Sequence, residues 1–214
     1  MAVEAVIWDF GGVFTTSPFD AFNRYERERG LPNDIIRRIN SVNPDTNAWA
    51  RIERSEVDAP AFDRLFAEEA KAQGFDIPGK DVLALLSGDL RPRVIAAFKT
   101  CKARFKVGCI TNNAPTGKGA GMSSDSEKAR QVAEVFSLFD HVIESSKAGV
   151  RKPDPRIYAM MCEALGVKPE ACVYLDDLGI NLKPAREMGM TTIKVTGEDQ
   201  LLADLSRAVG IAFA

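Results

Sequence analysis

Short apolar runs, rich in β-branched residues, punctuate the chain at positions 3–8, 105–110, 171–175 and 191–195, with a weaker fifth at 141–144. Runs of this length without polar alternation suit strands buried on both faces. Helical patterns separate them after residue 90. In the clearest, over 154–165, Asp154 is placed to cap, Pro155 fits the first turn, Ile157, Met161 and Leu165 recur every four residues, and Gly166 ends the helix. Two more are predicted at 91–103, with Val94, Ile95 and Phe98 on one face, and at 179–188, stopped by Gly189. Strand alternating with helix implies an α/β fold: a doubly wound parallel sheet with helices on both sides.

Residues 17–90 follow another rule. They show no strand pattern but amphipathic helical ones at 19–29, 34–39, 59–72 and 80–86, divided by turn signals at 30–32, 43–45 and 77–79. A crossover between parallel strands needs only about a dozen residues. The expected organisation is therefore an α/β core (1–16 and 91–214) with a small all-helical cap (17–90) inserted after the first strand. The polar, glycine-rich stretch at 115–127 lacks the G-x4-G-K-[ST] spacing of a phosphate-cradling P-loop and reads as a surface loop.

Composition narrows the classes. The 214 residues carry 28 basic and 30 acidic side chains, well mixed, so no basic stripe invites nucleic acid. No apolar run nears the ~18 residues of a membrane span. Four cysteines, Cys101, Cys109, Cys162 and Cys172, form no CxxC pair and sit in apolar segments. Buried free thiols and no basic leader predict a cytoplasmic protein. One histidine, His141, stands at a predicted strand edge, which argues against Ser–His or Cys–His catalysis. Acid–base or nucleophilic work falls to carboxylates.

Those carboxylates end strands. Asp9 follows Ala-Val-Ile-Trp and precedes a glycine turn; Asp176-Asp177 follow Val-Tyr-Leu; Thr111-Asn112-Asn113 follow Val-Gly-Cys-Ile. Ligands of open parallel sheets bind beyond the carboxyl ends of the strands, so these groups can converge. Lys152 stands just before a helix start. Taken singly, each has an ordinary reading: a strand-end aspartate as turn former or cap, Lys152 as a solvated lysine. An adjacent acid pair is different, because two buried carboxylates repel and each costs several kcal/mol to desolvate. A cation relieves that cost, and oxygen-only ligands suit Mg2+ with a substrate phosphate. Phe14, Phe19 and Trp49 are candidates for the pocket wall or for core.

In this order the four motifs resemble those of the haloacid dehalogenase superfamily of hydrolases, over almost the whole chain. Residues 149–158 and 174–190 are similar to the N-terminal phosphatase domain of soluble epoxide hydrolases. The resemblance implies a Mg2+-dependent phosphatase of a small phosphorylated metabolite, with Asp9 as nucleophile forming an aspartyl-phosphate. It implies metal ligation by Asp9, Asp177 and the carbonyl of Gly11, with Asp176 and Asn181 orienting the metal from outside. Thr111 and the Asn112 backbone would bind the phosphoryl group, and Lys152 would offset its charge. Gly11 departs from the pattern, since phosphatases of the family usually carry an aspartate there as general acid. Three readings follow: a substrate with a good leaving group, such as a sugar 1-phosphate or acyl phosphate, or an acid supplied by the cap; a catalytically impaired or binding protein; or a 2-haloacid dehalogenase, whose halide leaves unprotonated. The first leads, because some relatives with glycine here resemble sugar 1-phosphate phosphatases.

Overall fold

The computed structural model describes residues 2–114 and 126–213. The five apolar runs form β1 (Ala5–Trp8), β2 (Lys106–Thr111), β3 (His141–Glu144), β4 (Cys172–Asp176) and β5 (Thr191–Lys194). They make one sheet of order β3-β2-β1-β4-β5, with every neighbouring pair parallel. Side-chain alternation splits β1 between two cores. Val6 and Trp8 join Val107, Val173 and Phe98 on one face, while Ala5 and Ile7 join Tyr174, Ile157 and Met161 on the other. Both faces are covered, which is why the run is apolar without a break. Phe14 lies wholly in the first core, its ring 5.2 Å from Trp8 and 5.3 Å from Phe98, so it is core and not pocket wall.

Helices α1 (Pro18–Glu28), α2 (Ile35–Ser41), α3 (Ala48–Glu53), α4 (Ala59–Ala72) and α5 (Gly79–Ala84) lie between β1 and β2, followed by α6 (Pro92–Lys102). The remainder are α7 (Ser126–Ser137), α8 (Ser145–Ala148), α9 (Pro155–Leu165), α10 (Gly179–Glu187) and α11 (Glu198–Val209). Helix α9 is built as its punctuation predicts. The Asp154 side chain accepts from the Arg156 N–H at 2.9 Å, and Gly166 closes the helix at φ 61°. The first five helices bury a cluster of their own, including Phe22, Ile36, Ile52, Phe62 and Phe66, which Ala114 joins from beyond β2. Phe19 and Trp49 pack at the margin of this cluster.

Among the described residues, four helices escape the sequence reading: α3, α7, α8 and α11. Helices α3 and α8 are too short to show a period. Helix α3 depends on Asn47, whose side chain accepts from the Ala50 N–H at 2.8 Å. Helix α11 buries Leu201, Leu202 and Leu205, a stripe present in the sequence and not drawn out there. Helix α7 adjoins the glycine-rich stretch, whose residues 115–125, and with them the surface-loop reading, lie outside the described residues.

The chain enters and leaves the helical block along a two-stranded ribbon. Thr16 N–H donates to Asp89 O and Arg91 N–H to Phe14 O, both at 2.8 Å, around an antiparallel bridge of Thr15 and Leu90. The ribbon is tight: a β-carbon on Gly88 would lie 2.4 Å from the Thr16 carbonyl oxygen. Both crossings therefore leave the sheet on the carboxyl side of β1, where the strand-end acids collect.

Candidate active site

Strand register makes the site. Ile7 pairs with Tyr174 and Trp8 with Leu175, and the Asp9 N–H donates to Leu175 O at 2.8 Å. One step on, Asp9 therefore stands beside Asp176. Asp9, Asp176 and Asp177 can each offer an oxygen with all three within 4.8 Å of one another. Lys152 joins them: its Nζ lies 2.8 Å from Asp9 Oδ1 and 2.8 Å from Asp176 Oδ2, with only 1 % of the side chain exposed. A solvated lysine is thereby excluded.

The two adjacent aspartates divide the work. Asp176 is fully buried, and its oxygens accept from Lys152, from the Tyr174 hydroxyl, from Leu178 N–H at 2.8 Å and from Asn181 Nδ2 at 3.0 and 3.1 Å. A carboxylate so fully partnered is a fixed anchor. Asn181 is fixed in turn, its carbonyl accepting from Tyr158 OH at 2.6 Å. Asp177 is only half-buried and lies against the glycine turn, where a β-carbon on Gly12 would sit 2.3 Å from its Oδ2. With φ at 75°, Gly12 also occupies backbone space that other residues rarely adopt. Two requirements thus converge on one glycine.

The charges do not balance. Burial raises the Asp9 pKa well above the usual carboxylate value, against the pull of Lys152, and Asp176 and Asp177 push it the same way. Asp177 is pushed up to about 6, first by burial and then by the charge of Asp176. For Lys152, burial opposes the charge, but Asp176 and Asp9 outweigh it and hold the ammonium above the usual lysine value. Among the described residues, one lysine lies against three carboxylates, which leaves the site short of positive charge. The donors are all hard oxygens, and Asp9 takes both the Phe10 N–H (2.7 Å) and Lys152 on Oδ1 alone. That is the chemistry of a site for an oxygen-preferring divalent cation.

The remaining predicted residues gather at the same sheet edge. Thr111, at the end of β2, is buried, and its hydroxyl makes no hydrogen bond among the described residues. The Asn112 side chain is committed elsewhere: its Oδ1 accepts from Lys152 N–H at 2.9 Å and its Nδ2 donates to Lys152 O at 3.1 Å. Gly11 has open space around it, with no heavy atom within 4 Å of a built β-carbon.

Several contributors were not anticipated. Tyr174 stands two residues before Asp176, hence on the same face of β4, a relation that the period of a strand makes readable. Arg91 donates from Nη1 to Gly12 O at 2.9 Å and so ties the end of the helical block to the glycine turn. Glu53 and Arg151 pair at 2.6 Å beside Asn112. Nothing in the sequence marks Glu53, one acid among 30.

Comparison with known proteins shows the family. The model of the haloacid dehalogenase-like hydrolases matches residues 3–189. Bifunctional epoxide hydrolase 2 of Mus musculus is 30 % identical over 225 residues; the match takes in all of this chain but spans only 40 % of that relative's length. A phosphatase of Mycobacterium tuberculosis is 30 % identical over 219 residues, covering 96 % of this chain and 95 % of its own. Among solved structures, a haloacid dehalogenase-family enzyme of Bacteroides thetaiotaomicron, in complex with magnesium and inorganic phosphate, superposes with a TM-score of 0.61. That superposition covers 92 % of this chain and 97 % of the other at 18 % identity, a likeness of fold.

Proposed function

The chain belongs to the haloacid dehalogenase-like hydrolases, and from that premise we propose that it is a Mg2+-dependent phosphatase of a small phosphorylated metabolite, with Asp9 as nucleophile. The observation that carries the reading is the buried Lys152 ammonium held 2.8 Å from both Asp9 and Asp176, with Asp177 beside them. A nucleophilic carboxylate must remain ionised in a buried place and meet an anionic substrate; Lys152 serves both needs. The phosphatase of Mycobacterium tuberculosis, matched along nearly its whole length, supports the same assignment.

In the proposed reaction an Asp9 oxygen forms a bond to phosphorus as the bond from phosphorus to the leaving oxygen breaks. Water then attacks the aspartyl-phosphate, releasing inorganic phosphate and restoring the carboxylate. Thr111 and the Asn112 N–H donate to phosphoryl oxygens, and Lys152 offsets charge on nucleophile and phosphate. Asp9, Asp177 and the Gly11 carbonyl would hold Mg2+, which would supply charge screening between the carboxylate and the phosphate. Asp176 and Asn181 keep this set in place from behind. Residues 17–90 act as a cap over the site. With glycine at position 11 the departing oxygen has no acid there to protonate it, so the reading favours good leaving groups, sugar 1-phosphates or acyl phosphates among them.

Turnover of p-nitrophenyl phosphate tests it. Activity is expected with Mg2+, lost in EDTA, and reduced by about 10³-fold or more in Asp9→Asn. Turnover that survives either change overturns the reading. Phosphate binding without turnover selects the impaired-enzyme alternative, and chloride release from 2-chloropropionate selects the dehalogenase.

A further inference from the structure

Lys152 is held at both ends. Its ammonium is fixed by Asp9 and Asp176, and its backbone N–H and C=O are both bonded to the Asn112 side chain, at 2.9 and 3.1 Å. The backbone clamp is not closed within the α/β half. Asn112 Nδ2 also reaches Glu53 Oε2, on helix α3, at 3.3 Å. The same Glu53 oxygen accepts from Arg151 Nε at 2.6 Å, and Arg151 is the residue immediately before Lys152. Glu53 Oε1 is held from its own helix by Trp49 Nε1 at 3.0 Å. Two further bonds fasten the same contact: Arg151 Nη1 to Pro44 O at 3.0 Å and Ser55 Oγ to Ser146 O at 2.6 Å.

Glu53 is only 6 % exposed. A carboxylate buried to that degree is tolerated when partnered and costly when a partner is withdrawn. Its partners from the α/β half are one residue that clamps the Lys152 backbone and the residue preceding Lys152. Seating or unseating α3 must therefore act on Lys152. Burial raises the Glu53 pKa above the usual carboxylate value, and the paired Arg151 guanidinium opposes that shift.

We propose that Glu53 is a positioning residue, which makes the placement of Lys152, and so phosphoryl binding at Asp9, conditional on the docking of helix α3. The inference rests on the reading of Lys152 as the cation that meets the phosphate. It assigns the helical block a second task besides covering the site: an undocked block leaves Asn112 and Arg151 without their shared anion, and the lysine loosely held.

Glu53→Ala and Glu53→Gln test it on the full chain. In Glu53→Ala, KM for p-nitrophenyl phosphate is expected to rise and kcat to fall, together by about tenfold or more in kcat/KM, with the Mg2+ midpoint unchanged. Glu53→Gln keeps an oxygen for Arg151 and Asn112 and should recover part of that loss. A merely structural role would lower the active fraction, and so kcat, at constant KM. The second measurement is independent of turnover: the Lys152 amide should exchange with solvent about tenfold faster in Glu53→Ala, while amides of β4 keep their protection. Wild-type KM together with wild-type Lys152 exchange in both variants overturns the inference. If the wild-type protein hydrolyses no phosphate ester, the phosphatase reading fails by itself, and amide exchange still decides for or against the coupling.

Discussion

Adjacent glycines at 11 and 12 meet opposite constraints. A β-carbon at 12 would collide with Asp177 Oδ2 at 2.3 Å, whereas one at 11 would meet nothing within 4 Å. Only the second position has room for an acid, and φ at Gly11 lies outside the left-handed region. Gly11→Asp should therefore fold and raise kcat/KM on alkyl phosphates, whose alkoxide needs a proton, by about 10²-fold or more. On p-nitrophenyl phosphate, whose leaving group is stable unprotonated, it should change little. A parallel rise on both, or on neither with the fold intact, would mean that protonation is not what Gly11 withholds. Asp177 gives the matching prediction in pH. Its pKa is raised from 3.8 to about 6 in the folded, metal-free protein, so across that interval the folded state keeps a proton that the unfolded chain has released. Stability must then fall as pH rises through the window. In EDTA, Asp177→Asn should be more stable than wild type above pH 6 and equal to it below the window, read as urea midpoints against pH. A gap independent of pH would refute the assignment.

The elements show which parts of this architecture the sequence makes visible. The three central strands β1, β2 and β4 were legible because they are buried on both faces and so carry nearly unbroken apolar runs, whereas the edge strands β3 and β5 bury one residue each, Ile143 and Ile193, and give a weaker signal. Helix α9 was legible because Asp154, Pro155 and Gly166 mark its ends by local chemistry alone. The strand-end placement of Asp9, Asp176 and Asp177 followed from the same two facts, and the register of β1 against β4 delivers it. What stayed hidden depends on partners distant in sequence. Helix α3 has six residues and no period, and Glu53 on it meets Arg151 across 98 positions of chain. The ribbon joining residues 14–16 to 89–91 is likewise a pairing of two segments unremarkable by themselves. Lys152 lay between these cases: its place before a helix was visible, but its burial was not, because that comes from Asn112, Asp176 and Asp9 closing on it from three other segments.

For the molecule as a whole, the site is a store of unfavourable charge. Three carboxylates meet within 4.8 Å with one buried ammonium between two of them, at the carboxyl end of the sheet. Two of the three have raised pKa values, so ionising them at neutral pH costs folding free energy. A divalent cation bound only by the folded state removes that cost, and mass action converts its affinity into stability: about 2.7 kcal/mol at a hundredfold excess over Kd. For a chain of this size each kcal/mol moves the Tm by about 2–4 °C. Mg2+ at that excess should thus raise the Tm by about 5–10 °C at pH 7.5. Sodium chloride at matched ionic strength should not, because screening between buried groups is weak. Asp177→Asn should start from a higher metal-free Tm than wild type and lose the Mg2+ response. That pairing is the sensitive part of the test: a general loss of structural integrity would lower both values. A metal-free Tm below wild type, or a Mg2+ shift kept in full, would show that Asp177 is neither the repelled carboxylate nor a ligand.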